Sequence, residues 1–159
     1  MAKRPTLTAN DVADWFINRV DRDAGESMTP LALQKLVFFA QAWHLANLGQ
    51  PLFADQFEAW AHGPVVRSIF DRFKHLSWEA IPAVNAAKEI KGSASRLLEA
   101  VYERYGAYTA KKLEEMTHEK GGPWEKTRGD LPPEARCEKV ISVEIIRKFY
   151  GKKIGKAWA

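Results

Sequence analysis

The chain has one cysteine, no long apolar run and no acidic residue after Glu144. With Cys137 alone, an internal disulfide is excluded, which fits a reducing compartment. The densest apolar run, Leu36 to Ala40, falls far short of the roughly 20 residues that cross a bilayer. Met1-Ala2-Lys3-Arg4-Pro5-Thr6 leads into polar Asn10 and Asp11, unlike a secretory signal. The expectation is a soluble, cytoplasmic protein with no membrane partner. Histidine is also scarce: His44, His62, His75 and His118 lie far apart, and no Cys pair accompanies them. No metal-ligand spacing results, and neither a metal nor a cofactor is expected. Gly121-Gly122-Pro123 lacks the Gly-Lys-Ser/Thr of a phosphate loop. No protease signature surrounds Cys137, which reads as a free structural thiol.

What is present is a core. Of 159 residues, 46% are hydrophobic and 11% aromatic, enough for one folded domain and too rich for a disordered chain. The net charge is +4, with pI ≈ 9.2, and it is divided unevenly. Residues 1–80 carry 8 basic and 9 acidic side chains, residues 81–159 carry 16 and 11. The excess gathers in Arg147, Lys148, Lys152, Lys153 and Lys156, a basic tail. Such a tail keeps a chain solvated, or attracts acidic proteins or nucleic acid.

The pattern predicts a mainly α domain with a minor short-stranded sheet. Thr8 with Asp11 starts a helix carrying Val12, Phe16, Ile17 and Val20, ending near Arg22. Thr29-Pro30 starts the central helix, over residues 30–48, and Gly49 ends it. Apolar residues cover most of its circumference, so it is buried on most sides. Gln34, Gln41 and His44 form a narrow polar stripe along it. Phe57 to Ala61 alternates as a short strand. His62-Gly63-Pro64 reads as a turn into a third helix, with Pro64 near its first position. Ser93 caps a fourth helix to Tyr105, and Thr109 starts a fifth with Leu113 and Met116. Gly121-Gly122-Pro123-Trp124 ends that run. Glu138 to Ile141 is a second strand, and Ser142 caps a last helix with Val143, Ile146 and Tyr150. His118, beside Glu119, invites an acid–base reading, and with His62 a hydrolase. A histidine capping or hydrogen-bonded at a helix C-terminus accounts for His118 more simply. The tryptophans fall mostly in patterned segments, which speaks for packing before base stacking.

Three segments in order carry a resemblance. They are Leu33-Gln34-Lys35-Leu36-Val37-Phe38-Phe39-Ala40-Gln41-Ala42-Trp43, Ala59-Trp60-Ala61-His62-Gly63-Pro64-Val65-Val66, and Thr117-His118-Glu119 with Pro123-Trp124. Together with Ile141, Ile145 and Tyr150 they resemble the Panacea domain of SocA-like antitoxins, over residues 8–150, leaving 151–159 as the basic tail. His62 departs from the pattern, where an aromatic such as Tyr is common. The resemblance implies binding and not catalysis: an antitoxin that neutralises a cognate toxin by direct contact. Its SocA branch implies an adaptor that hands the toxin to the ClpXP protease. The motif residues Gln34, Lys35, Trp43, Trp60, Gly63, Pro64, His118, Pro123 and Trp124 read as fold determinants, with no toxin contact assigned. A nucleic-acid-binding regulator is the alternative, resting on the basic tail, although no segment presents a clear basic recognition face.

Overall fold

Thr8 opens the first helix by a reciprocal exchange. Its hydroxyl accepts from the Asp11 N–H, and the Asp11 carboxylate accepts from the Thr8 N–H. The structure, a computed structural model, describes residues 4–154. Helix α1 (Ala9–Arg19) ends before Arg22, because Arg22–Ala24 winds into a separate 3-10 turn capped by Asp21. Helix α2 (Pro30–Leu48) begins on the Thr29 hydroxyl, with Pro30 in its first turn. It closes on Gly49 at φ 72°, in the left-handed region that favours glycine.

Helix α2 is the axis of the domain. It packs against α1, α3 (Arg67–Phe73), α4 (Gly92–Tyr105), α5 (Ala110–Thr117) and α7 (Val143–Gly151). Every residue from Leu33 to Trp43 is buried. Aromatic rings fill the space around it. Phe39 stacks on Tyr105 with centroids 4.1 Å apart, Phe38 meets Phe57 edge-on at 5.2 Å, and Trp43 meets Tyr150 at 5.2 Å. The Trp43 indole donates to the Tyr105 hydroxyl at 2.8 Å, so burying these rings strands no indole donor. Each large side chain so buried contributes about 1.5–3 kcal/mol relative to exposure.

Beside α2 lies a three-stranded antiparallel sheet. Its order is β2 (Gly63–Val65), β1 (Phe57–Trp60), β3 (Val140–Ile141). A further helix, α6 (Pro123–Arg128), packs on β1, β3 and α7. The domain is therefore mainly α with a small sheet. No helix among the described residues is long and apolar enough to cross a membrane.

Several boundaries differ from the sequence reading. Pro64 does not open a helix: Gly63–Val65 is a strand, and α3 begins at Arg67. Ser93 makes no capping bond, and α4 starts at Gly92 after Lys91. Gly121-Gly122-Pro123-Trp124 is not merely a stop, because Pro123 sits in the first turn of α6. Thr109 and Ser142 do cap α5 and α7. Of the basic tail, Lys156 and the residues from 155 on lie outside the described residues.

Candidate functional site

Most of the residues singled out by the motifs converge on one hairpin, while Trp43 lies apart from it, between Tyr105 and Tyr150. β1 and β2 are joined by Ala61 and His62, and side chains from three helices hold this unit, those of α2 and α6 by its backbone and that of α5 by the His62 ring. From α2, the Gln34 amide nitrogen donates to the Val66 carbonyl at 3.1 Å. Its oxygen accepts from the Val66 N–H at 2.9 Å. The Lys35 ammonium donates to the Pro64 carbonyl at 3.4 Å. From α6, the Trp124 indole donates to the Trp60 carbonyl at 2.6 Å, and Arg128 donates to the Ala59 carbonyl at 2.9 Å. From α5, the Glu114 carboxylate accepts from the His62 ring Nδ1 at 2.8 Å.

Strand geometry explains the Gly63-Pro64 pair. Ala59, opposite Pro64, directs its N–H to the Lys139 carbonyl and its C=O to Arg128, both away from β2. Ala59 and Pro64 are thus a non-hydrogen-bonded pair, and the N–H that proline lacks costs no ladder bond. Gly63 has φ 111°. A Cβ there would lie 2.7 Å from Lys35 Cε and 2.9 Å from Thr117 Oγ1. Only glycine lets the hairpin seat this closely on the lysine. The open edge of β2 is covered as a result, by Gln34 and Lys35, and no further strand can add there.

Lys35 is wholly buried. Burial pushes its ammonium down to about 7, opposed only partly by the Glu114 carboxylate. His118 follows α5, and its backbone N–H caps the Glu114 and Glu115 carbonyls. Its ring lies flat on Trp124, centroids 3.6 Å apart, and its Nε2 is sealed from solvent with no hydrogen-bond partner. Burial holds His118 below the usual imidazole range. The ring packs where the sequence suggested a capping or hydrogen-bonding side chain. Elsewhere on the α2 stripe, Gln41 donates to the Phe53 carbonyl and accepts from the Leu52 N–H, while His44 donates to the Gln50 carbonyl. All three polar stripe residues therefore hold backbone.

One wall of this hairpin faces an open groove of about 580 Å³. The start of α2, the hairpin, α3 and residues 134–138 enclose it. Trp60 and Phe70 meet edge-on within it at 4.8 Å, and Arg67 lies 5.2 Å over the Trp60 ring. Arg67 also pairs with Glu58 and Glu138; it holds the Glu58 carboxyl below the usual range, and Arg136 together with Arg67 does the same to Glu138. Among the described residues no group of His, Cys, Asp or Glu could hold a metal ion. His62 and His118 do not share a hydrogen bond, and Cys137 is a buried free thiol. Arg128 and Glu114 escaped the sequence reading, because each acts on a partner more than fifty residues away.

The arrangement defines a mainly helical domain in which motif side chains of α2 and α6 hold one hairpin. A model of the SocA-like antitoxin, Panacea domain, matches residues 33–125, well over half of the chain. The chain belongs to that family. It is 31% identical over 107 residues, 60% of its length, to Antitoxin SocA of Caulobacter vibrioides (strain NA1000 / CB15N). It spans 57% of the length of that curated relative. No solved structure matches it.

Proposed function

We propose that this protein is an antitoxin that neutralises a cognate toxin by direct protein–protein contact, without catalysis. A family of antitoxins implies a toxin as partner. The observation that carries the reading is how the motif is spent. The motif residues Gln34, Lys35 and Trp124, with Arg128 beside them, are engaged with backbone carbonyls of the hairpin and of Val66 next to it. Side chains so committed hold a surface rigid and leave contact as the means of action. Occlusion of a toxin takes an interface of about 1,200–2,000 Å². Two of the cations near the chain end, Arg147 and Lys153, pair with Glu144 and Glu119, which weakens the case for a phosphate-binding face.

Co-expression with a toxin encoded beside this frame tests the reading. Growth rescue and co-purification are expected. A toxin that is neither bound nor antagonised overturns it, and DNA binding that weakens steeply with salt supports the regulator instead. The resemblance to the SocA branch further suggests delivery to ClpXP. Delivery shortens the toxin's half-life only while that protease is present, whereas occlusion rescues growth in its absence.

A further inference from the structure

We infer that a second cavity, between α2, α4, α5 and α7, is the seat of the chain's own residues 155–159, with the Trp158 indole entering between its aromatic walls. The inference is independent of the antitoxin reading: it concerns how one end of the domain is closed.

The cavity holds about 540 Å³. Phe39 and Trp43 of α2, Tyr105 of α4 and Tyr150 of α7 line it, and all four are buried. Met116 of α5 completes the apolar wall. Phe39 stacks on Tyr105, and Trp43 stands edge-on to Tyr150 with an interplanar angle of 79°. Such walls offer both ring faces and ring edges to one more aromatic group. The rim carries Arg104, Lys112 and Lys153 with Glu115 and Glu119, and Lys153 pairs with Glu119 at 2.8 Å. With both signs interleaved, the rim does not select a charged ligand. The walls set the preference, for a large flat apolar group.

The path of the chain supplies that group. Tyr150 lies in the wall and Lys153 on the rim, so α7 runs along the cavity to its edge. Winding continues past the helix: the Lys153 N–H donates to the Tyr150 carbonyl at 3.0 Å, and the Ile154 N–H to the Gly151 carbonyl at 3.3 Å. At about 1.5 Å of rise per residue, Ile154 lies about 6 Å beyond Tyr150. The sequence that follows is Gly155-Lys156-Ala157-Trp158-Ala159, and Trp158 is the one aromatic residue after Tyr150. Four extended residues reach about 13 Å, more than the roughly 8 Å across a cavity of this volume. Gly155 permits the reversal that the return requires. A group on so short a tether has an effective concentration in about the millimolar range, which places it ahead of a free ligand, a toxin or a second copy.

The test labels the intact protein with fluorotryptophan and reads its fluorine NMR spectrum. Trp158→Ala and Trp78→Phe assign two of the six lines. A soluble gadolinium chelate broadens the line of Trp78, which is 84% exposed, and is expected to broaden that of Trp158 several-fold less. Met116→Ala is expected to shift the Trp158 line, whereas Leu131→Ala, at an exposed residue outside the cavity, leaves it in place. Trp158→Ala is expected to lower the ratio of folded to unfolded protein about 10-fold, the effect of removing one buried aromatic side chain. Circular dichroism checks that each variant is folded. Broadening of Trp158 equal to that of Trp78 overturns the inference. Protection that Met116→Ala leaves unmoved places the indole elsewhere and overturns it too. Protection that is lost on dilution assigns the cavity to a second copy, with the same consequence. Each of these outcomes leaves the antitoxin reading as it stands.

Discussion

Lys35 Cε approaches the Gly63 Cα so closely that a Cβ on that residue would sit 2.7 Å away, well inside van der Waals contact. Thr117 Oγ1 crowds the same face at 2.9 Å. Helix α2, the hairpin and α5 therefore meet at one glycine, the only residue type that fits both the space and the φ of 111°.

Gly63→Ala follows directly. Strain at positive φ and overpacking against Lys35 add to a loss of about 2–4 kcal/mol. Chemical denaturation reads that loss. The double variant Gly63→Ala with Lys35→Ala recovers the packing part only, since the backbone strain stays. Full recovery would show that the backbone at residue 63 is not constrained.

Burial of Lys35 makes stability depend on pH. Its amine titrates near 7 in the folded protein and near 10.5 when unfolded. Between those values the unfolded chain binds the extra proton, so stability rises with pH, by about 1.4 kcal/mol per unit from this group. Below 7 the proton is bound in both states and the penalty is complete and constant. Glu114, His62 and His118 are the charged and titratable neighbours that set the details. Lys35→Met removes the rise between pH 7 and 10 and is at least as stable at pH 7, because an apolar stem of similar volume replaces a desolvated charge. Urea unfolding at pH 7, 8.5 and 10 checks both statements. A Met variant that keeps the wild-type slope would assign the dependence elsewhere.

His118 adds a dependence on the acid side. Its folded-state value is lowered by burial, so the neutral ring is favoured in the fold. As pH falls through the unfolded value near 6.5, the unfolded chain takes up the proton first and stability declines until the folded value is passed. His118→Phe keeps a flat ring on Trp124 and removes this decline. Trp fluorescence followed through acid unfolding shows it as a lower midpoint pH for the variant. Coincident acid midpoints for wild type and variant would place the sensitive group outside this stack.

What the sequence made legible was local. Thr8, Thr29, Thr109 and Ser142 announce helix starts because their capping partners lie two or three residues away. Gly49 marks the end of α2 for the same reason. The hairpin was misread at Pro64 because a three-residue strand shows no periodicity, and a Gly-Pro pair before apolar residues also suits a helix start. What makes Gly63–Val65 a strand is distant: Lys35 at one edge, Ala59 at the other, and Trp124 holding the end of β1. Likewise Trp78 resembles its five counterparts in the sequence, and only the turn at Ser77 sets it outside the core. Motif order sufficed to suggest the family. The purpose of Gln34 and Lys35 emerged only when their carbonyl partners came into view.

Gln34 provides the sharpest test of how the hairpin is held. Its amide satisfies both backbone groups of Val66, a residue itself buried at the junction of β2 and α3. Gln34→Leu keeps the volume and leaves a buried N–H and a buried C=O without partners, at about 1–3 kcal/mol for each. Gln34→Glu retains an acceptor for the N–H but turns a carboxylate toward the C=O. It is expected to be the less damaging of the two at acid pH, where a protonated carboxyl can donate to that carbonyl as the amide does. Hydrogen exchange localises the effect. Amides of Val65 to Ile69 lose protection in Gln34→Leu, while those in the centre of α4 keep theirs. Uniform loss of protection across the domain would mean that Gln34 supports the core as a whole and not this junction.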